Sequence, residues 1–108
     1  MDNRKELKEK YKNMKPDMGV YIIKSKSGKY FIESTKNLRA AINRTKFTLE
    51  LGSHINEELQ TLWNQLGEAE FIIEILEKLE YDKDGVKEDY TEELEILRMI
   101  WEERMAKN

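Results

Sequence analysis

The side chains of this chain most able to bind a ligand are seven cations that lie between positions 24 and 46. They are Lys24, Lys26, Lys29, Lys36, Arg39, Arg44 and Lys46. Lysine and arginine neutralise phosphate charge without reading base sequence, so the group predicts weak, non-specific binding to nucleic acid. The alternative is that these charges form an ordinary solvated surface.

Charge is distributed unevenly along the chain. Residues 1–50 carry 13 Lys and Arg against 6 Asp and Glu, a net +7, whereas residues 51–108 carry 6 against 16, a net −10. The total charge of −3 therefore conceals a basic half that could face nucleic acid. The alternative is that the two halves attract each other.

Length and composition exclude several classes of protein. The 108 residues allow one domain with a modest core. They include no cysteine, which excludes disulfides and thiolate metal ligands, and nothing indicates secretion. No apolar run approaches the ~20 residues that span a bilayer, and the first fifteen residues are too charged for a signal peptide. We therefore expect a soluble, cytoplasmic protein without membrane contact.

Strands are predicted at three places. Residues 19–24 and 29–34 are rich in β-branched and aromatic side chains and are separated by a short polar segment, which predicts a β-hairpin. Residues 71–79 predict a third strand, with Phe71, Ile73 and Ile75 alternating on one face.

Two helices are predicted between the hairpin and the third strand. Asn37 caps the first helix and Gly52 ends it. The predicted apolar stripe of this helix is Leu38, Ala41, Ile42, Thr45 and Leu49. The second helix follows His54 and ends at Gly67. Its predicted apolar face is Ile55, Leu59, Leu62, Trp63 and Leu66.

A last, acidic helix is predicted over roughly residues 87–106, after a turn at 81–85. Its predicted buried stripe is Tyr90, Leu94, Leu97 and Trp101. The order ββααβα predicts an α+β domain at 17–108, with a three-stranded antiparallel β-sheet flanked by helices. A charged leader occupies residues 1–16, where Leu7 and Tyr11 leave open an N-terminal helix.

This order and several local signatures resemble the GIY-YIG superfamily of metal-dependent DNA endonucleases, and within it the homing-endonuclease branch. Gly19, Val20 and Tyr21 stand where the first motif stands. Residues 28–38, which read GKYFIESTKNL, are similar to the second-motif strand and its run into the first helix. Residues 52–54 and 59–71 also follow the pattern of that branch. The resemblance covers roughly residues 18–105.

The resemblance implies a catalytic site, and two of its residues are matched here. Members of the superfamily use two motif tyrosines, a helix-borne arginine and histidine, and a divalent cation held by a glutamate of the last helix. Tyr21 matches the first tyrosine and His54 matches a second histidine of the family. Each could instead be structural, Tyr21 as a strand residue and His54 as a cap or turn residue.

The remaining positions of the implied site depart from the family pattern. Phe31 replaces the second tyrosine, and neighbouring Tyr30 cannot substitute because it points to the other face of the strand. Glu33 replaces a motif glycine. Ala41 falls at the position of the arginine, and Thr45 falls at that of the first-helix histidine.

The position of the metal-binding glutamate depends on the register of the last helix. In the family this glutamate lies three residues before an aromatic residue, which puts Arg98 there when Trp101 is the anchor. A slip of one turn would offer Glu95 or Glu102. We predict a charge-assisted pair between Glu33 and Arg98 in place of the lost glutamate–metal contact. Two unrelated exposed charges are the alternative.

These observations predict a catalytically inactive GIY-YIG domain, a pseudoenzyme without metal or cofactor. We expect it to bind nucleic acid, with DNA as the expected ligand, in an accessory or regulatory role such as transcription regulation. One alternative is a weak endonuclease with Tyr21 as base and Mg²⁺ or Mn²⁺ held by Glu95 or Glu102. Another is a protein-interaction module or homodimer that uses the acidic helix.

Overall fold

The first strand lies at the centre of the sheet. β1 (Met18–Ser25) pairs antiparallel with β2 (Tyr30–Thr35) on one side and with β3 (Phe71–Leu79) on the other, which gives the order β2-β1-β3. The computed structural model describes residues 15–83, 85 and 87–107. Most of the predicted leader, including the helix left open there, therefore lies outside the described residues.

Close contact between β1 and β3 explains the glycine of the first motif. A Cβ atom built on Gly19 would lie 2.1 Å from the backbone oxygen of Glu77. No side chain can occupy that space without moving the backbone of β3. The glycine is therefore required by strand packing, independently of any catalytic role.

The helix after the hairpin is the element that the sequence specifies most fully. α1 (Leu38–Leu51) begins at Asn37, whose side chain accepts the N–H of Ala40 at 3.1 Å. It ends at Gly52, which adopts the left-handed conformation with φ 76°. The predicted stripe is confirmed, because its members are either buried or packed against the buried core.

The second helix begins after the first residue of the apolar face that was predicted for it. α2 (Glu57–Leu66) begins after Asn56, whose side chain accepts the N–H of Leu59. Ile55 precedes this cap and is 94% exposed, so its assignment to the buried face is wrong. Leu66, in the last turn, is also exposed. Gly67 ends the helix as predicted, and a 3₁₀ turn (Glu68–Glu70) leads into β3.

The third strand has the predicted bounds, but one of the three side chains predicted on its apolar face is largely exposed. Phe71 and Ile73 pack against the core, whereas Ile75 is 46% exposed. β3 is an outer strand, and α1 packs over the central strand, so Ile75 lies beyond the cover of the helix.

The last helix begins four residues later than predicted. α3 (Thr91–Ala106) starts where the carboxylate of Asp89 accepts the N–H of Thr91 at 3.0 Å. That bond satisfies a donor that has no partner inside the helix. Tyr90 just precedes the helix and, with Leu94, is buried as predicted; Leu97 and Trp101 are partly buried against the sheet.

The sheet has helices on both faces, and alternate residues of β1 point to opposite sides. Tyr21 and Ile23 pack on the side of α1 and α2, with Leu38, Leu49 and Trp63. On the other side, Val20, Ile22 and Ile32 pack with residues of α3. This arrangement confirms the predicted α+β class. Among the described residues, no helix combines the length and the apolarity that crossing a membrane requires.

Candidate functional site

The hydroxyl group of Tyr21 is buried beneath α1. It is hydrogen-bonded to the hydroxyl of Thr45, with an oxygen–oxygen distance of 3.1 Å. Both residues are buried, at 6% and 4% exposure. Burial raises the pKa of Tyr21 above its ordinary value of 10.0, and the bond from Thr45 only partly opposes that rise. Tyr21 is therefore a poor candidate for a base that takes a proton from water.

Two neighbouring positions of the implied site are filled by apolar groups. Phe31 and Ala41 both pack against the cluster that contains Tyr21. Tyr30 packs on the opposite side, with the residues that face α3, as strand alternation predicts. These side chains supply neither a hydroxyl nor a charge, so this part of the site is continuous with the core.

Arg44 is a residue whose position near the implied site was not foreseen. Its charge lowers the pKa of Tyr21, though less than burial raises it. Arg44 is exposed and lies three residues after Ala41, close to it on the helix surface. That spacing is the signal in the sequence that places a positive charge close to the position of the missing arginine.

A cleft of about 340 Å³ opens at the outer edge of β2. It is lined by Tyr30, Phe31, Ile32, Glu33, Asn56, Arg98 and Glu102. Four residues singled out in the sequence therefore share this cleft: Phe31, Glu33, Arg98 and the alternative metal ligand Glu102. Asn56, which was not predicted, reaches it from the start of α2.

The predicted pair between Glu33 and Arg98 is wrong as a direct contact. The Arg98 guanidinium is held by two carboxylates of its own helix: Nη1 donates to Glu102 at 2.5 Å, and Nε and Nη2 donate to Glu95. These partners lie three and four residues away, where helix geometry brings side chains together. Within the described chain, no ion pair joins Arg98 to Glu33. The two residues line the same cleft, and no ion pair is formed between them.

The pKa of Glu33 nevertheless depends on the charges around the cleft. Desolvation raises the pKa of its carboxyl group above the ordinary value of 4.5, while Arg98 and His54 lower it. Glu102 and Glu95 raise it further. The cleft is thus a mixed-charge site in which the cation is already neutralised by carboxylates.

His54 forms part of the turn between α1 and α2. Its Nδ1 accepts the N–H of Asn56 at 3.0 Å, so a neutral ring carries its proton on Nε2. The N–H of His54 donates to Gln60, whose side-chain amide donates to the carbonyl of Leu49. These bonds tie the end of α1 to α2 and give His54 a structural role. The buried Gln60 that completes the network was not foreseen.

The carboxylates of α3 that could hold the divalent cation implied by the family resemblance are engaged by Arg98. Across residues 15–83, 85 and 87–107, no three His, Asp or Glu side chains converge as metal ligands. Glu95 and Glu102, the carboxylates that a register slip would offer, are bonded to Arg98. A guanidinium between them opposes a second cation by charge repulsion.

The seven cations singled out in the sequence do not all share one side of the sheet. Lys24 alternates with Ile22 and Val20 on the α3 side and pairs with Glu74 at 3.3 Å. Lys36 lies 4.0 Å from Asp89. The remaining five are exposed and have no ion pair with any described carboxylate. We call these five the unpaired cations: Lys26, Lys29, Arg39, Arg44 and Lys46.

Comparison with solved structures identifies the class of protein. The chain is similar to the catalytic domain of the homing endonuclease I-TevI, with 28% identity and a TM-score of 0.66 over 82% of this chain and 88% of that one. A mutant of the catalytic domain of the intron endonuclease I-TevI gives 30% identity and a TM-score of 0.53, over 75% and 84% of the two chains. No family model and no curated protein matches. The chain belongs to the GIY-YIG nuclease superfamily.

Proposed function

We propose that this domain binds nucleic acid through its unpaired cations and does not hydrolyse it. The observation that carries the proposal is that five exposed Lys and Arg side chains have no described carboxylate partner. Cations without partners remain available to phosphate, whereas an ion pair must first be broken. The similarity to an endonuclease catalytic domain makes DNA the first ligand to test.

The position of the cations supports contact along the backbone of a nucleic acid. Three of them lie on α1, where Arg39 and Lys46 are seven residues apart and therefore share one flank of the helix. Arg44 lies on the other flank, and Lys26 and Lys29 lie in the hairpin turn. These side chains contact phosphate without reading bases, so binding has little sequence preference. Such binding suits an accessory or regulatory role.

The geometry also supports the loss of nuclease activity. Tyr21 is buried, Phe31 and Ala41 are apolar, and Arg98 lines the cleft, at the position that the resemblance implies for a metal-binding carboxylate when Trp101 is the anchor. The weak-endonuclease alternative would use Glu102, which does line the cleft but is bonded to Arg98. Because groups of one catalytic site act as a unit, losing several should remove nearly all of the rate enhancement.

Binding is tested by fluorescence anisotropy with a labelled DNA duplex and two charge-matched double variants. Arg44→Glu/Lys46→Glu should weaken binding and reduce the salt slope of log K by about 2, since about 0.9 counterions are released per phosphate contact. The control, Lys83→Glu/Lys107→Glu, changes net charge equally but away from the unpaired cations. Equal losses in both variants would mean that net charge alone governs binding and would refute the proposed surface.

Hydrolysis is tested separately with supercoiled plasmid and Mg²⁺ or Mn²⁺. We expect no nicking by the wild type or by Tyr21→Phe. Nicking that the wild type shows and Tyr21→Phe lacks would establish the endonuclease alternative. The result of one assay does not determine the result of the other, because binding is measured in EDTA and hydrolysis requires a divalent cation.

A further inference from the structure

A second cleft, of about 480 Å³, opens on the α1 side of the sheet. It is lined by residues of α1, α2, the 3₁₀ turn and β3, namely Lys46, Trp63, Glu68, Ala69, Phe71 and Ile73. Its volume lies within the range of roughly 300–1,000 Å³ that is typical of ligand-binding sites. It shares no lining residue with the cleft around Arg98. We call it the Trp63 cleft.

Two aromatic rings form the apolar part of the Trp63 cleft. The ring centroids of Trp63 and Phe71 are 5.2 Å apart, and the ring planes are inclined by 33°. Ile73 continues this surface along the same face of β3. Aromatic side chains bind nucleobases of any sequence, because every base presents a π face. The apolar part of the cleft is therefore suited to a flat aromatic group.

Two side chains of opposite charge border this aromatic surface. Lys46 is one of the unpaired cations, and Glu68 is exposed. Neither forms an ion pair with any residue that the structure describes. An ammonium group only donates hydrogen bonds, and a carboxylate only accepts them. The complementary ligand is therefore a flat group whose edge carries both acceptors and donors, as the edge of a nucleobase does.

The hairpin turn brings further positive charge to the Trp63 cleft. Ser25 pairs with Phe71 across the sheet, and the backbone N–H of Lys26 donates to the carbonyl of Glu70 at 2.9 Å. Lys26 therefore lies beside the start of β3, while Lys46 lines the cleft from α1. Both are unpaired cations, so the phosphates that flank a bound base have a cation on either side of the cleft.

We propose that the Trp63 cleft binds an unpaired base of single-stranded DNA, whose phosphates contact Lys46 and Lys26. This inference rests on the proposed function, because it uses two of the same cations, and it names the form of the ligand. A base in a duplex is stacked and paired, and it cannot enter a cleft without leaving the helix. The domain should therefore bind a single strand through the cleft as well as through its cations.

Fluorescence anisotropy with two labelled strands of equal length separates base binding from phosphate binding. One strand has a mixed sequence that is not self-complementary, and the other is abasic and carries the same charge. The strand with bases should bind about tenfold more tightly, because a base stacked on an aromatic side chain contributes affinity of this order. Equal affinities would overturn the base-binding cleft and leave phosphate binding intact, whereas no binding of either strand would refute the proposed function as well.

Substitutions of alanine assign this preference to the cleft. Ala69 is exposed and lines the cleft, so Ala69→Leu should fill part of the space and abolish the preference for the strand with bases. Ala106→Leu, the same change at an exposed position of α3, should keep it. Phe47→Ala should also keep it, because Phe47 is 61% exposed on α1 and does not line the cleft. A preference that Phe47→Ala abolishes and Ala69→Leu retains would place the base on the outer surface of α1 and overturn the proposal.

The two tryptophans provide a test on the unmodified protein. In ¹⁵N-labelled protein, the indole N–H signal of Trp63 should shift when the strand with bases is added, and the abasic strand should leave it in place. The indole of Trp101 donates to Glu77 at 2.9 Å on the α3 side, so its signal should not move. Equal shifts of both indole signals, or the same shift of Trp63 with the abasic strand, would contradict the binding of a base in the cleft.

Discussion

The cations of α1 and the hairpin turn differ from those of α3 in whether they have a carboxylate or aromatic partner. On α1 and the hairpin turn, five cations are exposed without an ion pair among the described residues. On α3, Arg98 is held by Glu95 and Glu102, and Lys107 pairs with Glu103. Arg104 lies over the ring of Trp101, 5.0 Å from its centroid.

This difference shows why net charge is a poor guide to the binding surface. The chain as a whole is acidic, with a net charge of −3. What matters to phosphate is whether a cation already has a carboxylate partner, since a paired cation contributes less to counterion release. We therefore propose that the cations of α1 and the hairpin turn, rather than those of α3, contact the ligand.

The largest expected effect is the salt dependence of DNA binding. If all five unpaired cations contact phosphate, log K should fall with log salt at a slope of about −4.5, which weakens binding about 500-fold between 50 and 200 mM salt. Anisotropy titrations at several salt concentrations measure this slope. A slope near zero would show that the α1 side does not bind phosphate.

The second expected effect concerns the buried hydroxyl pair on the α1 side. Thr45→Val keeps the shape of the side chain but leaves the Tyr21 hydroxyl without its partner, which should lower the free energy of unfolding by about 1–3 kcal/mol. Urea denaturation measures the loss. Thr48→Val is the control, because its hydroxyl bonds to carbonyl groups of its own helix. Equal losses of unfolding free energy in the two variants would mean that the Tyr21–Thr45 hydrogen bond contributes no more to stability than the bonds of Thr48.

The third expected effect concerns the paired cation on the α3 side. Arg98→Met should lower the free energy of unfolding by less than about 1 kcal/mol, because each helical ion pair contributes about 0.3–0.5 kcal/mol. The loss should shrink in high salt, and DNA binding should not change. Lys107→Met removes a more exposed pair and should cost less. Weaker DNA binding by Arg98→Met would show that the two sides are not separate.

The smallest expected effect is a change in pH dependence at Glu33. Because desolvation raises its pKa in the folded protein, the charged form is disfavoured by folding, and stability falls as pH rises through the ordinary value of 4.5. Glu33→Gln should therefore stabilise the protein at pH 7, by a few tenths of a kcal/mol because the side chain is partly exposed. Thermal unfolding at pH 7 and pH 3 should show the gain only at pH 7. A loss of stability at pH 7 would contradict the direction of the shift.

Local signals in the sequence were enough to predict most of the fold. Asn37 and Gly52 fix the ends of α1 through bonds within a few residues, and strand alternation places Tyr30 and Phe31 on opposite faces. The error at Ile55 has the same local origin. Its spacing fits the apolar face of α2, but the cap at Asn56 begins the helix one residue later.

The candidate site was harder to predict because its contacts depend on tertiary geometry. The sequence predicted that Glu33 and Arg98 share one pocket, and both line the cleft. It could not show that Arg98 would pair with Glu95 and Glu102 instead of Glu33. Arg98 pairs with carboxylates of its own helix because helix geometry brings them together without long-range packing. Likewise, spacing alone could not show that burial of Tyr21 would enclose its hydroxyl.

The most direct test of nucleic-acid binding without hydrolysis is an NMR titration of the ¹⁵N-labelled protein with duplex DNA in EDTA. We predict fast-exchange shifts of the backbone amides of Lys26, Lys29, Arg39, Arg44 and Lys46, with α3 unchanged. Shifts confined to the cleft around Arg98 and Glu102, or binding that requires Mg²⁺, would contradict the account.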